Sequence, residues 1–207
     1  GLKSKPSIDR TYPSEPLQTA ARELGLEREV QTNIVSVAYR VSKAGDPDSY
    51  ALDLLANILG QDKSSRLYQR LVYQGQLATE VSVDNYTPGS DGVLSVDVTV
   101  KPGVQVSLVK QIVFDELFKS RKNLLSEKEL QKAKNQISSM QIQSLKTIHG
   151  KAHALILNEI YFNDYERVFT DLDQYNKLTS QQIRKSAEKF LNPQQASVVV
   201  IRPKTKK

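Results

Sequence analysis

Two histidines, His149 and His153, lie four residues apart in a stretch whose apolar spacing predicts a helix, and on a helix that spacing lets two imidazoles reach one metal ion. Helical metal motifs that hydrolyse peptides also carry a Glu directly after the first His or directly before the second, because the metal-bound water needs a general base. Here the segment reads His149-Gly150-Lys151-Ala152-His153, with neither Glu. Gly150 weakens the helix between the rings, Lys151 adds a positive charge, and a third ligand such as Glu159 has no motif behind it. The pair therefore reads as surface or packing histidines, and no metal ligand or catalytic residue is assigned. Nucleophilic chemistry fares no better: there is no cysteine, no Gly-x-Ser-x-Gly turn, and no imidazole base besides those two rings. Gly60-Gln61-Asp62-Lys63-Ser64-Ser65 lacks the second glycine of a phosphate loop and follows a helical pattern, so it reads as a turn between helices. The carboxylates Asp46 and Asp48, and Glu127 and Glu129, fall at predicted helix starts, where negative charge complements the helix dipole.

The elements that would position these residues follow from periodicity. Val35, Val37, Tyr39 and Val41 alternate along a predicted strand, for which Glu23–Val30 is the expected hairpin partner. Asp46-Pro47 is an N-cap followed by a proline suited to a first helical turn; Ala51, Leu54, Leu55, Ile58 and Leu59 then form one stripe, and Gly60 is the expected stop. A short helix near Ser64 turns Leu67 and Leu71 inward. Leu77–Tyr86 and Val93–Lys101 are predicted strands joined by the turn sequence Thr87–Gly92, hence an antiparallel hairpin with one wet face. Helices follow: a stripe of Leu108, Val109, Ile112, Val113 and Leu117; a capping box at Ser126 and Glu129 opening a helix toward Thr147; a helix from Gly150 with Leu155, Ile156, Glu159 and Ile160; and a second capping box at Thr179 and Gln182 before Ile183, Ala187, Phe190 and Leu191. Ala196–Ile201 closes the chain as a strand. Strands first, helices second and one strand returning give an α+β fold, a largely antiparallel sheet with helices packed on one face.

Composition sets the outer limits. The 207 residues are 39% apolar and 25% charged, which fits a packed domain. Residues 1–20, rich in Ser, Pro and Lys, read as a linker, 21–203 as the domain and 204–207 as a basic tail. The opening lacks Met, an apolar run and a cleavage pattern, so the chain reads as a piece or mature form of a longer parent. No run approaches the roughly 20 apolar residues of a membrane helix. The +6 net charge sits in the second half, on predicted solvated helix faces and in the tail, without a recognised nucleic-acid module, so no nucleic-acid partner is expected. Zero cysteines exclude disulfides and fit either redox compartment.

Ala44-Gly45-Asp46-Pro47-Asp48 and the helix it opens, followed by Ser64-Ser65-Arg66-Leu67-Tyr68, resemble the second, non-catalytic domain of the pitrilysin/insulinase family of zinc peptidases, or inverzincins. That family includes the mitochondrial processing peptidases and the core proteins of respiratory complex III, and the likeness runs over roughly residues 21–203. The resemblance implies a parent whose preceding domain, of the same fold, carries His-x-x-Glu-His and zinc. The expected partners are that catalytic domain, a second subunit or homodimer half, and a peptide in a shared chamber; this chain itself would hold no cofactor. Some members carry an Arg and a Tyr seven residues apart that help bind substrate, and aligned on Leu71 and on Leu77-Ala78 those positions are Val72 and Thr79 here. Arg66 and Tyr73 share the spacing but stand in the wrong register. The first reading is thus an accessory domain of a zinc peptidase; its compartment stays open, the periplasm or exterior of a bacterial cell being the favoured one. The second is a structural domain of a catalytically dead parent, like a core protein.

Overall fold

The structure, a computed structural model, describes residues 15–204. Apolar alternation builds β1 (Arg22–Arg28), β2 (Ile34–Val41), β3 (Ala78–Tyr86), β4 (Gly92–Val100) and β5 (Ser197–Pro203), which form one sheet in the order β1-β5-β2-β4-β3. Three of the four pairings are antiparallel, including the expected β3–β4 hairpin; β1 and β5 run parallel. The α+β layout read from the sequence is the one observed.

The hairpin expected between the Glu23–Val30 segment and β2 is not formed, because β5 lies between them. Val198 and Val200 of β5 are buried while Val199 and Ile201 are half-buried, so both faces of β5 gain from an interior slot. β1 has only Leu24 and Leu26 to offer and is left at the edge, charged and nearly all exposed.

One face of the sheet is packed. Val35, Val37, Tyr39 and Val41 of β2 and Leu94, Val96, Val98 and Val100 of β4 are all essentially inaccessible. Over them lie α1 (Pro47–Gly60), α2 (Val106–Lys122) and α6 (Ser180–Phe190), with α3 (Glu127–Ser144) and α5 (Asp171–Lys177) against α1. The α1 stripe is buried as expected, but its helix start and stop work differently. Asp46 accepts from the Ser49 N–H and Oγ through its backbone carbonyl, not its carboxylate. Gly60 matters because α1 presses on β3: a Cβ there would stand 2.3 Å from Val83 Cγ2 and 2.6 Å from Val83 N. It is a close-approach glycine, not a left-handed cap.

On α2 the buried stripe is Val109, Val113 and Leu117 with Glu116 and Ser120, while Leu108 is exposed. Leu108 sits one residue, about 100°, off the i, i+4, i+8 row that faces the core. Glu116 is buried because Arg70 at 2.6 Å and Lys119 at 3.1 Å neutralise it. Arg70 belongs to a π-helical turn, Tyr68–Gln74, in place of the ordinary short helix expected there, though Leu67 and Leu71 do point inward. Both predicted capping boxes are formed.

α4 (Ile148–Phe162) departs furthest from expectation. It buries no residue, Leu155 is half-buried, and Ile156 and Ile160 face outward. Its C-terminal end is anchored by Phe162, which packs against Gly45 and under the Arg167 guanidinium at 3.8 Å. Of the expected linker, residues 1–14 lie outside the described residues, as do 205–207 of the tail. Residues 15–20 have no helix or strand, and Gln18 bonds to Ala196 and Ser197.

Candidate docking surface

His149 and His153 do share one side of α4. Both are exposed, and their rings stack with centroids 6.1 Å apart. Among the described residues no three His, Cys, Asp or Glu side chains gather into a metal-holding group. Two solvated imidazoles beside Lys151, with no carboxylate joining them, do not fit a zinc centre.

Val72 and Thr79 occupy irregular backbone. Val72 lies in the π-helical turn and packs, partly buried, on the core. Thr79 stands where the β3–β4 register slips between Ala78 and Glu80, is exposed, and donates from Oγ1 to the Thr99 carbonyl at 3.3 Å. π turns and β-bulges re-aim side chains, but neither residue here offers a cationic or phenolic group. Arg66 is held elsewhere, donating from Nε to Glu129 at 2.8 Å, and that bond, with help from Ser126, lowers the Glu129 carboxyl to about 2. Tyr73 is exposed.

Two surfaces have no cover within the described residues. The first is the sheet face opposite the helices, where Ser36, Asp97 and Ser82 lie side by side in one row and Ala38, Ser95 and Asp84 in the next. Small and polar side chains leave this face open, as the β4 alternation predicts. The second is apolar and was missed from the sequence: on α4, Ile148 is 88%, Ile156 56% and Ile160 66% exposed. Apolar residues exposed singly are ordinary, but three isoleucines exposed on one helix have the character of a docking face. Its sequence signal was present in the α4 pattern, which reads equally well as a face for the core or for a partner.

Also unanticipated is a polar cluster beneath α1. Asp53 accepts from Asn85 Nδ2 and from the Tyr175 hydroxyl, both at 2.8 Å, and burial pushes its carboxyl up to about 6 despite those bonds. Tyr50, edge-on to Tyr175, donates to Asp171 at 2.6 Å and accepts from Arg167; burial first, then Asp171, raises its hydroxyl to about 12. Burial and the Asp53 charge raise the Tyr175 hydroxyl as well.

An α+β domain with no metal-holding group among the described residues, an open sheet face and an exposed apolar helix is the class these features define. The chain belongs to the peptidase M16 inactive domain family, whose model matches residues 1–137. It is 29% identical over 198 residues to the zinc protease PqqE of Helicobacter pylori, a match covering 93% of this chain and 44% of that protein. A protease structure from Helicobacter pylori superposes with a TM-score of 0.88 at 24% identity, over 97% of this chain and 48% of the other. The inactive peptidase domain of a candidate zinc protease from Bordetella parapertussis superposes with a TM-score of 0.76 at 24% identity, over 88% of this chain and 96% of that one. The chain thus spans about half the length of the curated relative it matches.

Proposed function

We propose that this domain is the non-catalytic half of a zinc metallopeptidase, completing a peptide-enclosing chamber around a separate catalytic domain that carries His-x-x-Glu-His and the zinc. The observation that carries this reading is the pairing of family membership with the chain's own residues: two exposed histidines and no carboxylate base between them. Zinc would supply the nucleophilic water and polarise the peptide carbonyl in the catalytic domain. This chain's part is positional. The apolar face of α4 supplies the area that a docked domain would bury, and the open sheet face supplies a wall of small polar side chains against which an extended peptide fits without a deep pocket. Peptide substrate, catalytic domain and a second subunit or homodimer half are the partners of this reading. The parent is proposed to work in the periplasm or outside the cell.

A second reading, a structural domain of a parent that has lost catalysis, draws on Val72 and Thr79, which leave the family's substrate-binding positions without their Arg and Tyr. Expression of the parent with and without this domain tests both. The first reading expects zinc-dependent peptide cleavage that needs both halves; the second expects an assembled but inert parent.

A further inference from the structure

The cluster around Asp53 opens into a cleft of about 430 Å³ between α1, β3, α3 and α5, within the size range of small-ligand sites. Its polar lining leaves three acceptors without partners, alongside the donor-bearing side chains of Gln61 and Ser144. Asn57 Oδ1, Asn85 Oδ1 and Gln141 Oε1 are each buried without a hydrogen-bond partner among the described residues, and all three side chains belong to the cleft. Asn57 is only 6% exposed, so water does not readily satisfy it. Asp53 adds a carboxylate that no Lys or Arg among the described residues approaches within ion-pair distance, in a chain of net charge +6. Among the described residues no Lys, Arg or His lines the cleft. Buried acceptors are rarely left unpaired in folded proteins, and three of them beside an unpaired carboxylate call for hydrogen-bond donors and positive charge. Ala56, Val83, Ile137 and Met140 give the cleft an apolar side, and Gln61, Asp84 and Ser144 stand at the rest of its lining.

We propose that this cleft binds an organic cation, an ammonium or guanidinium head on an aliphatic stem, with Asp53 as its counter-ion, Asn57, Asn85 and Gln141 as acceptors, and the apolar wall around the stem. Such a head comes from a free alkylamine or from a Lys or Arg side chain of a peptide. The site lies at the β3 edge of the sheet, mostly on the helix side with Asp84 at its rim, and stands whether or not the domain serves a peptidase.

Titration separates this site from incidental surface binding. The charged and titratable groups around Asp53 are Tyr175 and Asp171 from α5, Asp84 from β3 and Tyr50 from α1, with Arg167 behind them, bonded to Tyr50 and 3.8 Å from Asp171 but outside the cleft lining; α3 contributes none to the cleft. Apart from Arg167, none of these is a cation. With the Asp53 carboxyl at about 6, lowering the pH to about 5 protonates it in roughly nine molecules of ten and weakens a cation's binding about tenfold.

The test is calorimetric titration of this chain with hexylamine, with N-acetyl-lysine amide, with N-acetyl-arginine amide and with calcium chloride. Saturable binding of at least one of the three organic cations is expected, weakened about tenfold in Asp53→Asn and about tenfold near pH 5, with Asn57→Leu also weaker. Tighter hexylamine indicates a free amine as the occupant, and a tighter amino-acid amide indicates a peptide side chain. Absence of saturable binding at up to about 10 mM overturns the proposal, as does binding that Asp53→Asn leaves unchanged. Calcium binding that needs Asp53 while the organic cations do not bind overturns it too. Urea unfolding of each variant at the same pH confirms that a lost signal is not a lost fold.

Discussion

Replacing Asp53 by Asn is expected to stabilise the domain at neutral pH and to leave it unchanged or weaker in acid. Burial raises the carboxyl from 3.8 to about 6. A folded state that holds its proton more tightly than the unfolded chain loses stability as pH rises between those two values. The cost is absent below the unfolded value and complete above the folded one. Two units correspond to about 3 kcal/mol. Asparagine keeps an oxygen for Asn85 Nδ2 but turns an amide N–H toward the Tyr175 hydroxyl, an exchange that costs about 1 kcal/mol. The expected net gain is therefore about 2 kcal/mol near pH 7.5 and a loss of about 1 kcal/mol near pH 3.5. Urea unfolding of both proteins at the two pH values measures it. Other carboxylates, such as Glu129 and Asp62 with their lowered values, titrate in both proteins and cancel in the difference. A difference that is the same at both pH values, or that favours Asp53 at the higher one, refutes the electrostatic reasoning.

Gly60→Ala should cost about 2 kcal/mol or more, because its Cβ meets the Val83 backbone nitrogen, and thermal unfolding reads this directly. Ser126→Ala removes the side chain that caps α3 and should cost about 1 kcal/mol in urea unfolding. The double variant Ile156→Asp, Ile160→Asp should stay within about 0.5 kcal/mol of the parent in stability, since both side chains are exposed, yet fail to associate with the catalytic half in gel filtration. His149→Ala and His153→Ala should leave the zinc content of the purified chain at background in elemental analysis.

Strands and helices with a clean period were legible because each buries one face locally: α1, β2, β4 and the two capping boxes needed only neighbours in sequence. The partner of β1 was not legible, since the choice between β2 and β5 turns on which strand gains more from being central, and β5 lies some 170 residues away. Leu108 shows that a five-residue apolar stripe leaves its centre uncertain by one residue. The outward face of α4 was visible as a pattern, but amphipathicity does not say whether the partner is the same domain. Gly60 read as a stop because both a cap and a close approach select glycine, and only the Val83 contact distinguishes them. The cation cleft left no sequence signal: Asp53, Asn57, Asn85, Gln141 and Tyr175 come from four elements and share no spacing.

The most direct measurement is zinc content and peptide hydrolysis of this chain alone and together with the other half of its parent. The expected result is an inert, zinc-free chain, and activity only when the catalytic half is present. A chain that alone binds one zinc and cleaves peptides, and loses both on His149→Ala, would contradict the non-catalytic assignment.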